Sequence, residues 1–371
     1  MIVLIYLLNK IYNYLTSSHT VDSSSRMEEM LRENSVLCIG NPLLDISATV
    51  PDEFLDKWNL KPNDAILATD KHMALYKEFE ANYPVEYIAG GASQNTARVA
   101  QWILKKPNTC AYFGSVGIDD YSKILKEKAV ADGVNVQYQY HETEPTGSCA
   151  VLITKNGTNR SLCANLAAAN HFTVDHIQKP DCKKIIQQAE IYYVSGFFLT
   201  VSIESILEVA QVAHKRNKLF LMNLSAPFLV QLYKSQMMQA MPYVDILFGN
   251  EYEALTFSKE HNFNTEDVSE IALKLMALPK QNSEKGRIVV ITQGKESVIL
   301  ALISNGKVKE FAVEVLPTEK VIDTNGAGFI AQLVKGVDLE KCIKCGIWAA
   351  SRVIERSGCT FDGTQSYNSG D

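Results

Sequence analysis

The chain is poor in long apolar runs. The one that opens it, MIVLIYLL, stops after eight residues at Asn9 and Lys10, where a membrane helix needs about 20. No basic region precedes it and no small-residue cleavage site follows, so it does not read as a secretory signal. Residues 1–26 are expected to be an extension, disordered or weakly helical, with Ser23–Ser25 as a short linker and Met27 as an alternative start. A basic stripe is also missing: 36 Lys and Arg face 42 Asp and Glu for a formal net charge of −6. Nucleic acid is therefore not an expected partner, and no membrane partner is expected either. No G-x-G-x-x-G follows the first strand, which argues against a dinucleotide-binding fold. No internal repeat period is visible.

Cysteine usage excludes a disulfide framework. The eight cysteines (Cys38, Cys110, Cys149, Cys163, Cys182, Cys342, Cys345 and Cys359) sit mostly in apolar runs of a large chain, as small buried hydrophobes of a protein in a reducing compartment. Cys342 and Cys345 form a C-x-x-C without a second pair, inside a helical pattern, which favours packing over a metal or redox site.

What is present is a core: 371 residues with 46% hydrophobic composition can fill one large α/β domain or two. Continuous apolar strands such as EIYYVSGFF, LFLMNLSA, DILFGN and RIVVITQG alternate with amphipathic helices. That pattern predicts a central, mostly parallel sheet covered on both faces. Stretches near 45–68 and 137–166 show strands with no helix between them, and are expected to form a small β lid.

Five segments carry candidate chemistry. In VLCIGNPLLDIS, Asn41 and Asp45 lie just past an apolar strand, where open α/β sheets bind ligands; the same residues suit a turn with an Asx cap. In IAGGASQNTARVA, Gly90 and Gly91 permit close backbone approach, and the following helix can aim its N–H groups at a polar ligand, with Asn95 on its first turn. LFGNEYEAL sets Asn250 and Glu253 three apart at a strand-to-helix junction, a spacing that suits a hydrated divalent cation with phosphate oxygens and equally a capping box. ITQGKES ends a strand with Thr292, Gln293 and Gly294, small residues and free backbone groups able to meet a nucleotide. VIDTNGAGFIAQLVKG reads as a strand, a turn in which Gly326, Ala327 and Gly328 leave backbone N–H groups unobstructed, and a helix. That is the layout of an anion hole.

In this order the five segments resemble the phosphofructokinase-B (ribokinase-like) carbohydrate and nucleoside kinases. The stretches GNPLLDISA, LKPND, VAQW, NRSL, ANLAAAN, GFFLTVS, LNLSAPF, MPYVDILFGNE, DTNGAG and GCTF narrow the resemblance to the adenosine kinases, from about Asn34 to Phe361. The resemblance implies a ribokinase-like kinase domain over residues 27–371, monomeric, in the cytoplasm and also the nucleus. It implies an ATP:nucleoside 5′-phosphotransferase that makes AMP and ADP from adenosine and ATP with Mg2+, as in purine salvage. Position by position, it implies that Asn41 and Asp45 hold the ribose hydroxyls with Gly91 and Asn95. Leu43, Leu162, Ala164, Phe197 and Phe228 would line the adenine pocket, and Arg160 would reach the phosphates. Asn250 and Glu253 would serve Mg2+ through water, Thr292, Gln293 and Gly294 would touch ATP, and Asn325, Gly326, Ala327 and Gly328 would form the anion hole.

The chain departs from that family at one junction. There, DTNGAG is followed by an aspartate that takes the proton from the 5′-hydroxyl, and by about five further residues; here Phe329 follows Gly328 directly. Six helical residues span about 9 Å and about 600° of rotation, so either the loop stretches or the helix repacks. The departure leaves three readings: an impaired adenosine kinase, a non-catalytic nucleoside-binding relative, and a splice or gene-model error in an ordinary enzyme. A sugar kinase of the same fold is a further alternative. Ala65 and Ala92 stand where polar residues are expected.

Overall fold

Apolar strands that must be covered on both faces dictate the architecture. The structure, a computed structural model, describes residues 31–367 other than 158, 283–284, 295, 303–307, 312–324, 355, 357 and 365. The proposed extension over residues 1–26 lies outside them. In chain order the strands are β1 (Val36–Ile39), β2 (Leu43–Thr49), β3 (Ala65–Leu67), β4 (Glu86–Gly90), β5 (Cys110–Gly117), β6 (Asn135–His141), β7 (Ser148–Thr154), β8 (Asn159–Asn165), β9 (Ile191–Ser195), β10 (Leu219–Asn223), β11 (Ile246–Asn250), β12 (Ile288–Gln293), β13 (Glu296–Ala301) and β14 (Val308–Phe311).

Nine of them form the large sheet in the order β14-β13-β12-β11-β10-β9-β1-β5-β6. From β12 to β6 every pairing is parallel, and β13 and β14 add antiparallel pairings at one end. Side chains alternate between faces. On β1, Leu37 and Ile39 join Phe113, Val194, Met222 and Ile291 on one face, under helices that include Ile203–Lys215 and Glu251–Glu260. Val36 and Cys38 join Tyr112, Tyr193 and Phe248 on the other, under helices Ala92–Leu104, Asn325–Leu333 and Leu339–Ile354. All eight cysteines are buried free thiols, Cys342 and Cys345 on the last of these helices.

The remaining five strands form a small sheet in the order β3-β8-β7-β2-β4. Ile46, Ala48, Ala150, Leu152 and Cys163 turn one of its faces onto Phe54 and Phe79 of the helices Asp52–Lys57 and Met73–Asn82. Asp45 alternates onto the opposite face. Three details differ from the sequence reading. Residues 135–141, placed in part with the lid, are β6 and close the edge of the large sheet, while β4 supplies the small sheet's outer edge. The stretch between β2 and β3 is not free of helix, since Asp52–Lys57 coils. Asp45, expected just past the same strand as Asn41, lies inside a second strand: Gly40, Asn41 and Pro42 carry the chain from the large sheet to the small one.

Two interior features tie the ends together. Trp102 stacks between Trp348 and Phe361, with ring centroids 5.1 and 5.0 Å away, and its Nε1 donates to the Asp362 carbonyl at 2.9 Å, which docks the C-terminal segment on the helix Ala92–Leu104. Arg287, 1% exposed, donates to the carbonyls of Met241, Val244, Leu275, Leu278 and Pro279. A single guanidinium thus caps carbonyls at helix ends and in the loops that follow them, which would otherwise be buried without partners.

Candidate active site

Between the two sheets lies a cavity of about 310 Å³, at the lower end of the range for small-molecule sites. It lies at the carboxyl ends of the parallel strands, where open α/β sheets bind ligands. A second hollow, bordered by His214, Lys218 and Lys285, offers about 10 Å³, room for about one water.

The strand ends supply the polar floor. Asn41 follows β1, Ser195 ends β9, Asn223 ends β10 and Asn250 ends β11, and all four border the cavity. Asn41 donates through Nδ2 to the Phe197 carbonyl at 3.4 Å, and its buried Oδ1 has no partner. Such an orphaned acceptor is costly unless a ligand hydroxyl meets it. The chain can turn here because Gly91 opposes it with φ +91°, and a Cβ at Gly91 would sit 2.3 Å from the Asn41 carbonyl oxygen.

Asp45 comes from the small sheet, paired across to Ile88 of β4 and Cys149 of β7. Its carboxylate packs so tightly on Gly90 that a Cβ there would lie 2.4 Å from it. Burial pushes the Asp45 carboxyl up to about 6, with the charges of Arg160 and Arg98 pulling it the other way. Arg160 Nη2 lies 3.4 Å from Asp45 Oδ2, and the buried Arg160 Nε has no partner. The arginine assigned to phosphates is thus paired with the carboxylate assigned to ribose. Leu43, Leu162, Ala164 and Phe197 make an apolar wall. Phe228 does not border the cavity; its ring stands 6.3 Å from that of Phe197, in support of it. Ala65 and Ala92 do border it.

Asn250 and Glu253 realise the capping box. Asn250 Oδ1 accepts from Glu253 N at 2.9 Å, while the Glu253 carboxylate accepts from Asn250 N at 3.0 Å and Nδ2 at 2.9 Å. The same pair borders the cavity. Thr292 is register partner to Asn250, and Gln293 Nε2 donates to the Ser297 carbonyl at 2.7 Å. Gly294 has φ +56°. None of these three reaches the cavity wall.

The expected turn at Asn325–Gly328 is the first turn of the helix Asn325–Leu333. Gly326 is open on its Cβ side, but Gly328 packs against the next helix, where a Cβ would meet the Cys345 carbonyl oxygen at 2.4 Å. Phe329, 1% exposed, meets Phe248 edge-on at 5.4 Å. Gly326, Ala327 and Gly328 lie within the helix, and the residues just before Asn325 lie outside the described residues. Asp323 lies outside the described residues. Among the described residues no cluster of three or more His, Cys, Asp or Glu could hold a metal by protein ligands alone.

Sequence reasoning missed Ser195, Asn223, Ser225 and Cys359 on the cavity wall. The signal for the first two was their position as the terminal residue of an apolar strand.

Residues 52–365 match the profile of pfkB family carbohydrate kinases. The chain is 50% identical over 339 residues to adenosine kinase 2 of Arabidopsis thaliana, covering 90% of this chain and 97% of the relative. It is 42% identical over 328 residues to the adenosine kinase of Schizosaccharomyces pombe, covering 86% and 94%. Among solved structures, Anopheles gambiae adenosine kinase in complex with P1,P4-di(adenosine-5) tetraphosphate superposes with a TM-score of 0.86 at 52% identity, covering 91% of this chain and all of that one. Schistosoma mansoni adenosine kinase in complex with 2-fluoroadenosine gives 0.85 at 35% identity, with 90% and 98% coverage.

Proposed function

Since the chain belongs to the pfkB family of carbohydrate kinases, and within it to the adenosine kinases, we propose that its cavity takes adenosine and that ATP supplies the phosphoryl group, giving AMP and ADP. One observation carries the substrate assignment: the unpartnered Asn41 Oδ1 and the Asp45 carboxylate belong to residues that border one cavity with an apolar wall. Vicinal hydroxyls satisfy both acceptors, and a flat base fits between Leu43, Leu162 and Phe197. Arg160, with its Nε free, is the nearby cation for phosphate oxygens. The backbone N–H groups of Asn325–Gly328 open a helix and so lack intrahelical acceptors, which suits them to charge on a transferring phosphoryl group.

The donor set fits Mg2+ held through water. Both Glu253 oxygens already serve Asn250, so the pair can bind a hydrated ion by its waters and not replace them. The ion would neutralise charge on the nucleotide phosphates. The direct junction of Gly328 and Phe329 supports slow chemistry, because a positioned base is worth about 10²–10⁴-fold. Eight free thiols support a reducing, cytoplasmic or nuclear location, where a monomeric enzyme of this kind serves purine salvage.

Calorimetry with adenosine tests the assignment. Asp45→Ala should weaken binding by about 1–3 kcal/mol, the cost of leaving buried hydroxyls unpaired. Equal affinity in both proteins, or none in either, rejects the pocket.

A further inference from the structure

Arg98 lies one turn beyond Asn95 on the helix Ala92–Leu104 and is 4% exposed. A guanidinium has five donors, and burying it is costly unless they are met. Three parts of the molecule meet it. Nε donates to Asp132 Oδ2 at 2.6 Å, at the end of the helix Asp120–Ala131. Nη1 donates to the Ala89 carbonyl at 2.9 Å, on β4 of the small sheet. The ring of Phe361, in the C-terminal segment, lies 5.5 Å from Cζ.

Its remaining contact, from Nη1 to Asn95 Oδ1 at 3.3 Å, decides which end of Asn95 the cavity meets. A guanidinium only donates, so the Asn95 atom that faces it is the carbonyl oxygen. The amide N–H groups are left to the cavity that Asn95 borders. Asn41 Oδ1 and the Asp45 carboxylate are acceptors on the same cavity. One donor among acceptors is the pattern a vicinal diol needs, because each hydroxyl both gives and receives.

We propose that Arg98 is a positioning residue of the nucleoside site. By holding Asn95 as a donor, and by anchoring β4 to a helix end and to the C-terminal segment, it sets recognition of the ribose hydroxyls. The inference rests on the nucleoside reading above.

Adenosine and 2′,3′-dideoxyadenosine, which lacks both hydroxyls, distinguish this role from a purely structural one. By calorimetry on the full chain, Arg98→Gln should weaken adenosine roughly tenfold and the dideoxy compound by less than about twofold. Arg98→Lys should recover part of the loss, since an ammonium still donates to Asn95. Adding Arg98→Gln to Asn95→Ala should cost less than Arg98→Gln alone, because part of the arginine's effect passes through the asparagine. Equal losses for both ligands, or additive losses in the double variant, overturn the inference. Should Arg98→Gln fail to fold, Asn95→Asp decides: its carboxylate pairs with Arg98 and keeps the fold, but offers the cavity no donor, so the preference for adenosine should drop. A kept preference overturns the inference. A wild-type chain that binds adenosine no better than the dideoxy compound overturns the nucleoside reading itself, and the inference with it.

Discussion

The two ends of the site are built by different means. At the end proposed for the nucleoside, side chains from separate elements interlock, Asp45 with Arg160, Arg98 with Asp132 and Asp45 against Gly90, while Asn95 meets Arg98 within one helix. Each interlocked group there depends on another part of the fold. At the end proposed for the phosphates the groups are the backbone N–H groups of one helical turn and Asn250 and Glu253, which satisfy each other locally. The junction at which the resemblance expects six further residues falls in that second region, and Phe329 is in the core. The helix Asn325–Leu333 packs on the helix Ala92–Leu104 that carries Asn95 and Arg98, so any separation of recognition from chemistry lies in the polar contacts and not in the core.

The largest expected effect tests that separation. Inserting the family's six aspartate-containing residues after Gly328 should raise adenosine turnover at least a few hundred-fold, taking the lower end of general-base and anion-hole effects, which overlap and do not multiply. Phosphoryl transfer from labelled ATP measures it. Comparable turnover in the two chains would mean that another group serves as base. Next in size is a contrast between buried arginines. Burial lowers Arg287 to about 10, Asp245 opposing, and it touches only carbonyls far from the cavity. Arg287→Met should cost about 3 kcal/mol by thermal melting, and the fully folded protein should bind adenosine as before. A loss of affinity would erase the distinction between framework and site.

The smallest effect is on pH. Hydroxyls donate more strongly to an ionised Asp45 than to its neutral form, so adenosine affinity should fall as pH drops through about 6, by at most about tenfold per unit. The ligand-free protein should respond in the opposite sense. A folded value above the ordinary 3.8 means that Asp45 contributes stability below about pH 4, lost as pH rises through 6. Asp45→Asn should flatten both curves; an affinity profile with the same slope in that variant would assign the titration elsewhere.

Much of this was legible in the chain. Continuous apolar strands announced a parallel sheet, and Asn41, Asp45, Gly91, Asn95, Asn250 and Glu253 stood out at strand ends. What escaped did so for physical reasons. VQYQYHE alternates because one face is less covered, a pattern that the edge strand of a large sheet shares with a lid. Apolar residues on both sides of Gly40-Asn41-Pro42 hid the change of sheet. Gly326 to Gly328 read as a loop because glycine frees the backbone, yet Gly328 serves a close helix contact that only tertiary structure reveals. Ser195 and Asn223 each looked like an ordinary strand boundary, and acquire meaning only when strand order sets them side by side. Arg98 gave no signal, since its ion-pair partner, Asp132, is distant in sequence.

That row of strand ends has a consequence for how such a site changes over generations. Asn41, Ser195, Asn223 and Asn250 arrive on neighbouring strands, the last three each followed by helices that return the chain to the sheet, and the registers between them are fixed by residues deeper in the sheet, such as Cys38 with Tyr193 and Leu221 with Ile246. A substitution in the row alters one contact on the ligand and leaves its neighbours where they were. Preference for a base or sugar can thus drift in single steps, each tolerated by the fold, with the scaffold acting as a keyboard whose keys are tuned one at a time.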